Sequence, residues 1–513
     1  MKVNKIIIVG GGSAGWMTAA TLIKAYPDKD ITVIESPNVP VIGVGESTIA
    51  RVRNWTKFLE LDDKHFLNHT DGIYKLSIKF TDFYKKGEAF HYPFGSCPTD
   101  GNKSDLNDWW FKKALYPETP QSDYADCSYP IMSLINNDKM TDEPFDGYDF
   151  SKDVAFHFDA IKFGQWLKEY YCLPKGVKHI QEDIVDVPTN ENGVKCLVTK
   201  TYSYYADLFI DCTGFKSLLL DKTLNEPFES LTDTLPNNSA WAVRAPYRDR
   251  ENELKPYTNC TAIENGWVWN IPLWNRVGTG YVYSDKFVDD ETALQQFKNH
   301  LNREDVNDLE FRNIKMRTGI HKRLFVKNVA AVGLAAGFIE PLESNGLFSV
   351  HEFLIELVRS LRRENVTQWD KDNYTYSCKH MFTGFAEFVA LHYAMSNRDD
   401  TEYWKANNNK QWEEALINLK PKFQIGFLHA SISRNKDFKF HNDGGGLHAI
   451  AAGMNWAPTD TTSLKYHNRF NEEELYQEFA YWVDRLNRRK EAWNQNAKKY
   501  LNYIDWMKKN IYT

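Results

Sequence analysis

The amino-acid sequence predicts an α/β protein with a parallel sheet near the N-terminus and a mainly helical C-terminal region. Two apolar, β-branched runs at residues 5–9 and 30–35 flank an amphipathic helical pattern, as expected for buried parallel strands joined by a helix. From Phe353 onward the pattern becomes helical, with aromatic and charged residues interleaved and few β-branched runs. The 513 residues are enough for one large domain or two closely associated ones.

Composition and charge exclude several classes of protein. The net charge of −7 gives no electrostatic footprint for nucleic acid or an anionic membrane. The seven cysteines are scattered, without a C-x-x-C or Cys/His cluster, so we expect no metal site, no disulfide framework and a reducing cytoplasm. The N-terminal KIIIVGGG is too short for a signal peptide, and no apolar run is long enough to span a bilayer.

A glycine motif follows the first predicted strand. Gly10-Gly11-Gly12-Ser13-Ala14-Gly15 is G-x-G-x-x-G between a strand and a helix, where glycines permit a tight turn and the helix N-terminus can bind a pyrophosphate. Glu35 ends the second strand, at the position of a ribose-binding carboxylate. The sequence therefore predicts a Rossmann-type dinucleotide site formed by these residues. Only one such fingerprint occurs, so a bound FAD would need reducing equivalents from elsewhere.

Two further segments are candidates for contact with a flat cofactor. Residues 41–48 form a glycine-rich loop, including Gly45 and Glu46, that either lies along the cofactor or is a plain linker. Residues 330–337 read as a strand running into a small-residue turn, which suits close backbone approach to a ring. A long helix follows, with Ser344 or Asn345 as candidate cap and free N–H groups that form an anion site.

Two lysines lie in the alternating stretch of residues 74–80. The alternation predicts one strand on which Lys75, Ser77 and Lys79 share a face. From the pattern alone, two solvated lysines on an exposed face are the favoured interpretation, and Lys75 is interpreted as structural.

Eight motifs together resemble one family. They are, in chain order, GGGSAGWM, GVGEST, LSIKF (76–80), AFHFDA (155–160), ADLFIDCTGF (206–215), WVWNIP (267–272), FIEPLESNG (338–346) and HYAMSNRDD (392–400). They cover roughly the first four-fifths of the chain and are similar to those of the flavin-dependent tryptophan halogenases. The last hundred residues match poorly.

The resemblance implies an FAD-binding domain of the flavin monooxygenase (hydroxylase-like) class. Residues 1–95 and 151–360 would form this core, residues 96–150 an excursion over the substrate region, and residues 361–513 a helical cover. In such enzymes a separate flavin reductase supplies FADH2, and O2 converts it to a C4a-hydroperoxyflavin. This oxidises a halide (chloride, bromide or iodide) to hypohalous acid, which halogenates an electron-rich aromatic of the indole or phenol type.

The resemblance also implies roles for individual residues. Lys79 aligns with the catalytic lysine, which either hydrogen-bonds hypohalous acid or forms a haloamine. Glu343 would accept the ring proton or orient Lys79 and the substrate, and Asn345 and Gly346 would bind the halide. The W-x-W-x-I-P motif would keep organic substrate from the flavin. Its residues are Trp267, Trp269, Ile271 and Pro272, and the further implied FAD contacts are Val185, Leu334, Gly337 and Leu347.

Asn345 departs from the family, which usually has threonine there. The amide is larger than a hydroxyl and offers N–H donors, so we expect a larger halide to be used at least as well as chloride. An FAD-dependent aromatic hydroxylase is the alternative function, and a non-enzymatic flavoprotein is the third. A homo-oligomer is compatible with the charged C-terminal helix, although a solvated face explains that helix equally well.

Overall fold

The structure is a computed structural model that describes residues 1–39, 46–95, 105–408, 445–457 and 472–513. The predicted cofactor contact Gly45, with most of its loop, lies outside the described residues, and so does the start of the predicted excursion.

The strands are, in chain order, β1 Lys5–Val9, β2 Asp30–Glu35, β3 Glu46–Ser47, β4 Ile73–Lys75, β5 Ser77–Thr81, β6 Ala89–Pro93, β7 Lys139–Met140, β8 Ala155–Phe158, β9 Lys178–Gln181, β10 Ile184–Asp186, β11 Thr189–Asn190, β12 Gly193–Val194, β13 Leu197–Thr199, β14 Ser203–Tyr204, β15 Leu208–Asp211, β16 Phe228–Ser230, β17 Ser239–Ala245, β18 Tyr257–Ile263, β19 Gly266–Pro272, β20 Val277–Tyr283, β21 Arg312–Lys315, β22 Gly319–His321, β23 Phe325–Val326, β24 Val329–Ala331, β25 Gly337–Phe338 and β26 Leu501–Asn502.

The α-helices are α1 Ser13–Ala25, α2 Val52–Leu59, α3 Asp63–His69, α4 Asp105–Leu115, α5 Asp123–Ser128, α6 Ile131–Asn136, α7 Phe150–Asp153, α8 Ala160–Trp166, α9 Arg250–Glu253, α10 Asp290–Leu301, α11 Gly346–Ser360, α12 Gln368–Ala394, α13 Glu402–Asn408, α14 Gly445–Gly453, α15 Glu472–Ala497 and α16 Tyr503–Asn510.

A six-stranded sheet that carries the glycine turn forms one half of the fold. Its order is β23-β24-β15-β1-β2-β9, and every neighbouring pair from β24 to β9 is parallel. The apolar residues of β1 are buried, as the uninterrupted hydrophobic run predicts. Helix α1 packs against α8 and α11, so the glycine turn lies between the sheet and later parts of the chain. The predicted α/β class is confirmed.

A seven-stranded sheet forms the second half, in the order β21-β17-β20-β19-β18-β5-β6. Its neighbours are antiparallel except for β18 and β5. The W-x-W-x-I-P segment is the central strand β19, which ends at Pro272 as predicted. The ring of Trp269 fits there because residue 280 is a glycine: a Cβ atom on Gly280 would come within 2.3 Å of that ring.

The predicted single strand over residues 74–80 is wrong, because the chain changes sheet at Leu76. Strand β4 pairs with β8 in a small three-stranded sheet, whereas β5 belongs to the seven-stranded sheet. Leu76 donates its N–H to the Pro256 carbonyl at 2.7 Å and accepts from the Phe94 N–H at 3.0 Å. The two lysines therefore lie in different sheets and face different surroundings.

Helices cover the sheets, and the C-terminal region is mainly helical. Helix α12 packs against α11, and α15 packs against α4, α5 and α6 of the predicted excursion. No described helix combines the length and apolarity needed to cross a membrane. Six of the seven cysteines are described, and all six are buried without forming disulfides.

Candidate active site

The glycine turn between β1 and α1 leaves no room for side chains. A Cβ atom on Gly15 would lie 1.9 Å from the Gly10 carbonyl oxygen, and one on Gly11 would lie 1.5 Å from a Glu35 carboxylate oxygen. Gly10 has φ +111° and faces the Cys212 carbonyl, so it needs glycine for conformation and for space. Glu35 accepts from His179 Nε2 at 2.6 Å. This tight turn beside a carboxylate fits the pyrophosphate and ribose of a dinucleotide.

The predicted ring-contacting segment packs directly on this turn. A Cβ atom on Gly333 would lie 2.9 Å from the Cβ of Ala14. A narrow cavity adjoins the segment and is lined by Leu334, Gly337, Phe338, Ile339, Asn345, Gly346, Phe348, Ser349, Met381, Phe382 and Phe385. Two predicted cofactor contacts and both predicted halide contacts thus line one space, whereas Leu347 lies beside it on α11.

A short left-handed turn connects this cavity to the buried interior. Residues Pro341–Glu343 form a 3₁₀ turn, Ser344 has φ +56°, and α11 begins at Gly346. Asn345 occupies the cap position, but its side chain makes no capping hydrogen bond, so the predicted side-chain cap is wrong. Its Oδ1 atom is buried without a hydrogen-bond partner among the described residues. The amide nitrogen donates to the Ile339 carbonyl at 3.5 Å, so it is the buried amide oxygen that is left for a further ligand at this cavity.

Glu343 is buried and pairs with a histidine from α12. Its side chain is 1% exposed, and Oε1 lies 2.8 Å from Nε2 of His392. Burial raises the pKa of Glu343, whereas His392 and the Lys75 charge act to lower it. Neither carboxylate oxygen of Glu343 forms a hydrogen bond with a described residue, so the His392 contact is a close approach at ion-pair distance. Glu343 therefore differs from an exposed acid that only complements the dipole at the start of a helix.

Glu340 is the second buried carboxylate of the same turn. Its Oε2 accepts from Asn237 Nδ2 at 2.7 Å, Trp267 Nε1 at 2.8 Å and Tyr393 OH at 2.8 Å. Burial raises its pKa, and these three donors oppose that rise. Glu340 thus anchors the first tryptophan of the W-x-W-x-I-P motif to the turn. The ring of Trp269 lies 6.3 Å from that of Trp267, centroid to centroid.

Lys75 contacts the turn directly, which the sequence did not lead us to expect. The side chain is fully buried, and Nζ donates to Ser47 Oγ at 2.8 Å, Thr48 O at 2.9 Å and Ser344 Oγ at 2.8 Å. Burial lowers its pKa to about 7, although Cys260 and Glu343 act in the opposite direction. The Phe94 ring centroid lies 5.0 Å from Nζ.

Lys79 does not contact this turn. It is only half-buried on β5, opposite Asn259 of β18 and His91 of β6. It forms no ion pair in the part of the chain that the structure describes, and its Nζ lies 6.0 Å from the Tyr257 ring centroid. Burial lowers its pKa. The structure brings Glu343, Asn345 and Gly346 together with Lys75, and shows no contact of Lys79 with them.

The remaining predicted contacts lie at the periphery. Ser13 Oγ donates to the Ala160 carbonyl at 3.0 Å. Val185 is 55% exposed on β10, just after Asp183, whose carboxylate accepts from Ser36 and Asn38 past the end of β2. Glu46 forms part of β3. No group of acidic, cysteine or histidine side chains suited to a metal occurs among the described residues.

The site residues that the sequence did not reveal share one property: each contacts a partner that is distant in the chain. His392 and Tyr393 were visible only as part of a family motif, and Lys75 was interpreted as structural. One signal in the sequence could have indicated these partners. The motifs HYAMSNRDD and FIEPLESNG both belong to the family resemblance, and the two acids of the second motif require donors if they are buried.

The fold and site define a class: an α/β protein consistent with a Rossmann-type FAD-binding fold, with a buried acid and a buried lysine at the turn beside one cavity. The tryptophan halogenase family model matches residues 5–468. The chain belongs to the tryptophan halogenase family, and it is an FADH2-dependent halogenase acting on aromatic substrates.

Individual relatives agree with this assignment. Tryptophan 6-halogenase SttH of Streptomyces toxytricini is 34% identical over 444 residues, which are 82% of this chain and 84% of that protein. Tryptophan 7-halogenase RebH of Lentzea aerocolonigenes is 31% identical, over 86% of each chain. The solved apo structure of VirX1 is 34% identical with a TM-score of 0.90, covering 100% of this chain and 99% of that one. These comparisons give the hydroxylase alternative no support.

The glycine turn yields a direct test of cofactor binding. Gly15→Ala should weaken FAD binding at least about tenfold, about 1.4 kcal/mol, because the new Cβ forces α1 away from Gly10. Gly164→Ala is the matched control on the other side of the turn, where the nearest atom to a new Cβ is Ser13 N at 3.6 Å. Titration of each apoprotein with FAD, followed by flavin fluorescence, measures the difference. Equal affinities for both variants would contradict the assignment of the turn.

Proposed function

We propose that Lys75, rather than Lys79, directs the halogenating species to the aromatic ring, with Glu343 as proton acceptor and Asn345 and Gly346 as the halide site. The observation that carries this proposal is the contact between Lys75 Nζ and Ser344 Oγ at 2.8 Å. Ser344 lies between the acid and the halide residues in the chain, so the lysine is next to both. Lys79 makes no comparable contact with any residue that the structure describes.

The chemistry balances with these groups. When bound, reduced FAD together with O2 supplies the two-electron oxidant that converts halide to hypohalous acid. An ammonium at Lys75 hydrogen-bonds the hypohalous acid and makes its halogen more electrophilic. The ring carbon forms a bond to halogen as the oxygen–halogen bond breaks, and the departing oxygen takes a proton from the Lys75 ammonium and leaves as water. The ring proton passes to Glu343. Because the pKa of Lys75 is about 7, its neutral amine is also populated near neutrality, so the haloamine route stays open.

Burial without a counter-ion supports this assignment of Lys75. Its three hydrogen-bond acceptors are neutral hydroxyl and carbonyl oxygens. Lys112, by comparison, is a buried lysine on α4 that pairs with Asp123 at 2.6 Å. A buried cation held by neutral groups is costly to the fold and is typical of functional sites.

The substrate and partners are proposed at a coarser level. We propose an electron-rich indole or phenol as substrate, because several related proteins are named as tryptophan halogenases. A separate reductase supplies FADH2. The preference among halides, a homo-oligomeric state and a cytoplasmic location stay predictions.

Lysine variants test which lysine acts. Lys75→Met should lower the yield of halogenated product at least about 100-fold, the scale of a lost catalytic group. Lys79→Met and the buried control Lys112→Met should keep most of it. Indole and phenol panels are incubated with enzyme, FAD, a flavin reductase, NADH and each halide separately, and the products are identified by mass spectrometry.

The outcomes separate the alternatives. Loss of product in Lys79→Met but not in Lys75→Met would return the role to Lys79. The same products from wild type and Lys75→Met would mean that free hypohalous acid halogenates the ring. Products that gain only oxygen would establish the hydroxylase.

Asn345 yields a second test, directed at the halide. With chloride and bromide in competition, Asn345→Thr should shift the product ratio toward chloride, because the smaller hydroxyl restores the residue usual in the family. Ser349→Thr, a polar substitution on the same cavity wall, serves as the control. An unchanged halide ratio in Asn345→Thr would refute the role of the amide in halide selection.

A further inference from the structure

His392 is a fully buried histidine in contact with the proposed proton acceptor. Its Nε2 lies 2.8 Å from Glu343 Oε1, and both side chains are at most 1% exposed. The ring packs among Phe80, Phe83 and Phe388, with centroid distances of 4.7, 6.3 and 5.7 Å. These three neighbours are apolar, so the polar group that lies next to Nε2 is the Glu343 carboxylate.

The other ring nitrogen fixes the position of the protons. His392 Nδ1 lies 3.2 Å from the carbonyl oxygens of Phe388 and Val389. A carbonyl oxygen only accepts, so Nδ1 must carry a proton. Nε2 faces Glu343 Oε1 at 2.8 Å, a close approach of ion-pair distance in which neither atom forms a hydrogen bond with any described residue.

We propose that His392 is a positioning residue that keeps Glu343 ionised, so that Glu343 Oε2 is ready to take the proton released by the aromatic ring. This deepens the proposed function and rests on it. In this role the imidazolium of His392 lies 2.8 Å from Oε1 and stabilises the carboxylate by its charge, while Oε2, which faces no donor among the described residues, takes the ring proton. The ring C–H bond breaks, its electron pair restores aromaticity, and the proton binds Oε2. Glu343 is then neutral and His392 remains an imidazolium.

The surroundings make such a partner necessary. Burial raises the pKa of Glu343 and so favours the protonated acid, which cannot accept a proton, whereas the His392 and Lys75 charges oppose that rise. The charged or titratable groups that face the pair are Glu340 from the same turn, Lys75 from β4 and Cys260 from β18. Lys75 is a cation next to the turn, but His392 is the group in direct contact with the carboxylate.

Two substitutions separate this role from simple packing. His392→Gln keeps an N–H donor toward Glu343 without a positive charge, and His392→Phe keeps the ring volume without a donor. We expect both to slow single-turnover product formation about 100-fold, within the range for acid–base catalysis. We also expect product to form more slowly from substrate deuterated at the halogenated carbon, an isotope effect absent in wild type.

The pH profile supplies a third measurement. Without the imidazolium, Glu343 ionises only at higher pH, so the acidic limb of the rate profile of His392→Gln should move to higher pH. The probe is the indole or phenol that wild type halogenates, with FAD reduced beforehand and O2 added to start the turnover. The KM for that substrate should stay close to the wild-type value.

Each outcome of these measurements supports or overturns the proposed role of His392. A wild-type rate in His392→Gln would show that a hydrogen bond suffices and overturn the inference. Slow turnover without an isotope effect would place the loss before proton transfer and overturn it as well. If His392→Phe does not fold, His392→Gln decides alone. A wild-type enzyme that forms no halogenated product would overturn the proposed function, and this inference with it.

Discussion

Two carboxylates buried three residues apart, Glu340 and Glu343, set the constraint on which the site depends. A carboxylate removed from water needs donors or opposing charge, and a missing partner would cost several kcal/mol. The last turns of α12 supply two of them, because His392 pairs with Glu343 and Tyr393 donates to Glu340. Strand β19 supplies a third through Trp267. The same contacts thus join the helical region to the sheet and fix the shape of the turn.

Much of the half that carries the glycine turn could be predicted from local pattern. Strands β1 and β2 occur at their expected positions, with the glycine turn and α1 between them, because hydrophobic period and glycine spacing are local properties. The lysine could not be predicted in this way. Lys75 and Lys79 are four residues apart in one alternating stretch, and a period of two gives both the same face. The break at Leu76 is set by hydrogen bonds to Pro256 and Phe94, which the stretch itself does not encode.

The partners of the acids were hidden for a related reason. His392 is separated from Glu343 by 49 positions, and nothing in the helical pattern of α12 distinguishes a packed histidine from a paired one. The motifs that contain Glu343 and His392 both belong to the family resemblance, but the resemblance does not indicate that the two residues are in contact. A close reading of sequence can name the buried acids, but tertiary structure is needed to assign their donors.

The left-handed conformation of Ser344 explains how one turn can serve two opposed tasks. A proton acceptor is a carboxylate and a halide is an anion, so the two repel each other and must not share a contact. With φ +56° at Ser344, the chain reverses between Glu343, which faces His392 in the interior, and Asn345, which lines the cavity. A serine in this conformation is strained, and the contacts of its hydroxyl with Lys75 and Ser47 offset that strain. In the proposed function the lysine ammonium thus lies at the point where the two negative charges come closest, and a neutral side chain there would leave their repulsion unscreened.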